Sequence, residues 1–116
     1  MTLAKNETSF KTVGDILAQL RSNIEMHPVA TYIALFDHYG HTASLEEGII
    51  SPEIIDAQNI LFCFGKELPA PEMLAVRPRS IGIAERRDDF VISFLKAPNP
   101  VANEAMIAWT ESLRDQ

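Results

Sequence analysis

The stretch "FDHYGHT", residues 36–42, places His38 and His41 three positions apart, beside Asp37. Two imidazoles at that spacing on a turn can reach one metal ion or a haem iron, with Asp37 or a neighbouring strand residue completing the shell. An imidazole at the mouth of an apolar strand face can also bind a ligand or exchange a proton near neutral pH. The plainer alternative is a strand end: Asp37 closes the strand, Gly40 permits a turn, and both rings are half exposed or bonded to backbone. A structural zinc needs four ligands, and the chain offers no second pair at matching spacing. The segment is therefore expected to leave the sheet at Asp37 and turn near Gly40. It would then present at least one histidine, His38 foremost, to a partly open pocket, with Asp37 orienting a neighbour and His41 assisting.

Two further constellations carry chemistry. Arg77 and Arg79 bracket Pro78. In an extended segment they face one side, and two guanidinium forks suit a carboxylate or phosphate, a small anionic ligand. They suit Glu67, Glu72 or Glu85 of the same chain equally well. Cys63 lies between Phe62 and Phe64. As a nucleophile paired with a histidine it would need a nearby cation or a helix N-terminus to hold a thiolate. As a small apolar side chain in a buried strand it needs nothing, and burial with a quiet thiol is the expectation.

Other signals are missing: there is no glycine-rich phosphate loop, nucleophile elbow, paired-cysteine site or His-Glu helix motif. The net charge of −6 argues against nucleic acid as a partner. Residues 66–96 stand apart, with six basic against five acidic side chains, leaving −7 on the remainder. That asymmetry fits either a local anion site or solvated hairpin charges. No apolar run approaches the roughly 18 residues of a membrane span, so no membrane partner is expected. No basic segment followed by a long apolar one marks a secretory signal. With a single cysteine, these features suggest the cytoplasm.

The positioning elements follow from periodicity. A short strand is expected at Thr2–Lys5. Val13, Ile16, Leu17, Leu20 and Ile24 make one helical stripe, opened by Thr12 with Asp15 and stopped by Pro28. "VATYIALF" reads as a strand with two apolar faces, hence a central one covered on both sides. Residues 38–58 form a long connection, with Ser51 and Pro52 opening a turn or two of helix. "NILFCFG" is the next strand, a short helix fits around Glu72–Val76, and "SIGIAE" and "FVISFL" flank a polar hairpin turn. Asn99 and Pro100 open a last helix whose stripe is Ala102, Met106, Trp109 and Leu113. The order β-α-β-β-α-β-β-α over a single domain, 1–116, gives an α+β fold of two layers. Its sheet is mostly antiparallel and its two main helices share one face. The apolar second face calls for a cover, either the long connection folded over it or a second copy of the chain, and a homodimer is the simpler of the two.

The layout also carries a resemblance. An "SF" entry into the helix, "IALFD", "NILFCFGKELPAPEML", "RPRSIGI" and "DDFVISFLKAPNP" before the final helix resemble the bacterial domain-of-unknown-function family numbered 302. "FDHYGHT" and "FGKELPAPEMLAVRPRSIG" are also similar to a narrower group of uncharacterised bacterial proteins. The resemblance implies the fold and a bacterial origin; it names no activity, cofactor or catalytic residue. Taken together, the sequence points to a ligand-binding or accessory module acting as a homodimer, not to a self-sufficient enzyme. The alternatives are a metal- or haem-binding redox accessory using His38 and His41, or an enzyme using Cys63 with a histidine.

Overall fold

The structure, a computed structural model, describes residues 1–115; Gln116, the end of the expected domain span, lies outside the described residues. The strands are β1 (Thr2–Ala4), β2 (Ala30–Phe36), β3 (Asp56–Phe64), β4 (Arg79–Glu85) and β5 (Asp89–Ser93). The helices are α1 (Val13–Met26), α2 (His38–Ala43) and α3 (Pro100–Glu111), with 3-10 turns at Lys5–Glu7 and Pro71–Val76. All strand pairs are antiparallel, in the order β1-β5-β4-β3-β2. The α+β reading, with two main helices on one face, describes the architecture.

Alternation along each strand builds the core. Ile60, Phe62 and Phe64 of β3, Ile81 and Ile83 of β4, and Phe90 and Ile92 of β5 all point to one face and are buried. The stripe of α1 and Ala102 and Met106 of α3 close over them. Each of the larger side chains contributes roughly 1.5–3 kcal/mol by leaving water, and the Ala102 methyl less. The helix ends are set locally. Thr12 Oγ1 accepts from Asp15 N at 3.0 Å, and Asp15 Oδ2 accepts from Lys11 N at 3.4 Å, a capping box displaced by one residue. Asn99 Oδ1 accepts from Val101 N at 2.9 Å, with Pro100 opening α3. Across the β4–β5 turn, Arg86 grips Asp89 through two bonds of 2.7 and 2.8 Å. Among the described residues no helix is long and apolar enough to cross a membrane.

Three expectations need correction. The connection after β2 does not turn at Gly40 but starts helix α2 at His38. Asp37 caps it, accepting from Gly40 N at 2.9 Å. A short polar side chain that bonds backbone two or three residues on favours a helix start as readily as a turn. The expected helix at Ser51–Pro52 is only a turn, closed by Ile54 N to Ser51 O at 3.0 Å, because β3 begins at Asp56 and draws the chain into the sheet. Finally, β2 is an edge strand, not a central one. A bulge between Tyr32 and Ala34 changes its register against β3, and Ile33, Leu35 and Phe36 stay exposed by 49%, 44% and 40%. Its apolar character on both faces does not come from being sandwiched.

Candidate functional site

At one end of the sheet α1 and β3 finish and β4 and α3 begin. There the chain encloses a groove of about 680 Å³ with a narrow inner recess. Phe64, Met73, Val29 and Val101 supply apolar wall, and Val76, Ala97 and Ala102 line the recess. The volume lies in the range of small-molecule sites.

Lys66, Arg77 and Arg79 border this space, with Glu67 as the acidic side chain of the lining. Lys5, Arg21, Arg86, Arg87 and Arg114 each pair with a carboxylate. Lys66, Arg77 and Arg79 form no ion pair among the described residues. Arg77 Nη1 donates to Glu67 O at 2.5 Å. Arg79 Nη1 donates to Val76 O at 3.2 Å and its Nη2 to Leu95 O, so one side chain ties together two walls of the groove. Its Nε is a buried donor without a partner among the described residues. Backbone carbonyls satisfy N–H groups but leave the positive charge uncompensated. The first turn of α3 lies on the same rim, where a helix dipole favours an anion.

His27 enters the groove from the end of α1. Its ring meets Phe64 edge-on at 5.1 Å and Trp109 at 5.9 Å, and Phe64 stacks on Trp109 at 5.7 Å. His27 Nδ1 accepts from Val29 N at 3.3 Å, which leaves the proton of a neutral ring on Nε2. The groove thus combines apolar wall, three cations and a ring N–H donor.

The chain matches the model of the "Family of unknown function (DUF6858)" over residues 1–115. It belongs to that family. The match upholds the expectation of a family of unknown function but corrects its number, since family 302 is not the one found. A helix followed by a meander of strands is a layout that packing physics allows in more than one family. No curated protein and no solved structure matches the chain.

The sequence candidates fall into separate places. Arg77 and Arg79 share the groove wall, with a cis peptide between Arg77 and Pro78. Asp37, His38 and His41 lie at the far end of β2, about 20 Å away for a seven-residue strand. Both imidazoles pack on Phe36, at 5.4 and 5.6 Å between ring centroids, and both are exposed. Asp37 spends its carboxylate on the helix cap. Among the described residues no group of three or more His, Cys, Asp or Glu is placed to hold a metal ion.

Cys63 is half-buried, not buried: it sits opposite Thr31 on the sheet face that the helices leave uncovered. Alternation turns it away from Phe62 and Phe64, which the sequence reading had overlooked. Phe36, the neighbour of the histidine helix, pairs with Asn59, four residues from Cys63 and so about 13 Å along the strand. The proposed cysteine–histidine pair is therefore not assembled with His38 or His41. His27 is the residue sequence reasoning missed. The available signal was its place immediately before Pro28, where an extended residue must redirect the chain from helix to strand.

Proposed function

We propose that this chain is a binding module for a small molecule with an anionic head, carboxylate or phosphate, and an apolar body. One observation carries the reading: three cations with no carboxylate partner among the described residues converge on an apolar groove in a chain of net charge −6. An uncompensated guanidinium beside a low-dielectric wall attracts an anion more strongly than the same group in open water. Phe64 and Met73 then take the apolar part, and His27 Nε2 is available as a further donor.

Octanoate, octanol and inorganic phosphate serve as probes, read through the emission of Trp109, the single tryptophan, which stacks on the groove residue Phe64. Octanoate is expected to bind at micromolar to low-millimolar concentration and octanol at least tenfold more weakly. Arg77→Gln is expected to remove most of that preference. Equal binding of acid and alcohol, or no response to either octanoate or phosphate, defeats the proposal.

A further inference from the structure

We infer that the outer edge of β2 pairs with the β2 edge of a second copy of this chain, joining two five-stranded sheets into one. Each strand of the sheet interior is hydrogen-bonded on both sides, whereas β2 has β3 as its one neighbour among the described residues. Its outer row of N–H and C=O groups is complementary to another extended strand. The usual protections of such an edge are thin here. Ala30–Phe36 contains no charged residue and no proline, and the bulge after Tyr32 is its one interruption. The sheet's opposite edge, β1, is only three residues long, which makes an open-ended β1-to-β2 chain of copies the poorer arrangement.

The occupant follows from symmetry and charge. A strand paired antiparallel with its own copy about a twofold axis near Ile33 presents the same surface from both sides, as closed dimers require. Two chains of −6 repel each other at most surfaces, but the interior of β2 is neutral. The flanks of the strand carry opposite signs. Asp37 follows its end, and Lys66 lies next to Gly65, which bonds to Val29 just before its start. Antiparallel pairing brings the start of each β2 to the end of the other, so Lys66 of one copy approaches Asp37 of its partner. The exposed side chains of Ile33, Leu35 and Phe36 lose water in the same step. Such an interface is small, on the order of 1,000 Å² in all, at the weak end for stable partners. Apart from Lys66, which also borders the groove, the inference does not draw on the proposed ligand site.

The test is sedimentation equilibrium of the full chain from about 5 to 200 µM, with Ile33→Lys and Leu35→Lys variants, the thermal melt of each confirming folding. The wild type is expected to reach twice the chain mass. Each folded variant is expected to remain monomeric over the whole range, because the ammonium of Ile33→Lys meets its own symmetry mate and that of Leu35→Lys is forced out of water against the partner strand, opposite Thr31. A wild-type monomer at 200 µM overturns the inference. So does a dimer that survives both substitutions, which would put the contact elsewhere, on the uncovered sheet face or in the groove. Should neither variant fold, amide exchange of the wild type decides: slower exchange in β2 as concentration rises supports the pairing, and unchanged exchange refutes it.

Discussion

Arg79 is the side chain on which the groove depends most, and replacing it tests both its geometry and its purpose. Its guanidinium donates to the carbonyls of Val76 and Leu95, one on the 3-10 turn before β4 and the other on the link from β5 to α3. Hydrogen bonds from a charged donor are worth roughly 1.5–3 kcal/mol each, with the lower end fitting a half-exposed arginine. Removing the unpaired Nε recovers about 1 kcal/mol of the cost of burying it. Arg79→Gln is thus expected to destabilise the fold by about 2 kcal/mol. That is a fall of about 1 M in the urea midpoint, and of about 8 °C in melting temperature for a domain of this size. Urea unfolding followed through Trp109 reads the change directly. Arg79→Lys keeps the charge, but its single ammonium lacks the planar fork that spans two carbonyls. It should recover little of the lost stability while keeping part of the affinity for octanoate. If Arg79→Gln leaves the midpoint unmoved, or Arg79→Lys restores it fully, the two-wall clamp is not what holds the groove.

Other outcomes follow from the same geometry. Asp89 is held below its ordinary pKa chiefly by the hydrogen bond from Arg86. A depressed carboxyl stabilises above its unfolded pKa, near 4, and loses that contribution as pH falls through the lower folded value; acid titration of Asp89→Asn should therefore show a flatter decline below pH ~4 than the wild type. Cys63, half-exposed on the uncovered sheet face, should react with a thiol reagent in native buffer at a rate within about tenfold of an unfolded control, and strong protection would mean that something covers that face. Asp37→Ala should cost α2 about 1 kcal/mol, whereas a Cβ at Gly40 would run into the Asp37 carboxylate. Gly40→Ala should consequently raise α2 amide protection only when Asp37 is already replaced.

The layout was legible because it rests on periodicity. The α1 stripe and the alternation in β3, β4 and β5 select one face each, and no tertiary contact reverses such a pattern once it spans several residues. The connection between β2 and β3 was misread because Asp37 and Gly40 are compatible with both a turn and a capped helix start. Short-range chemistry alone does not choose between them. The position of β2 failed for another reason. An apolar strand of both faces is what a central strand and a self-pairing edge strand have in common, and strand order is set by connections far away in the chain.

The site shows the same division. Arg77 and Arg79 could be placed together from the sequence because two residues around a proline in an extended segment face one side, and both line the recess. That their charge is left without a carboxylate depended on Glu67, Glu72 and Glu85 being occupied or turned elsewhere, and Glu85 goes to Lys5 at 2.7 Å. His27 was invisible for the complementary reason. A lone histidine gains a role only from Phe64 and Trp109, 37 and 82 residues away in the chain, which close around it when α3 packs on β3. Local motifs drew attention to His38 and His41, three residues apart, yet what the fold assembled is the scattered set. In this domain the candidate groove is lined where strand ends and helix ends meet, by residues that no sequence window contains together.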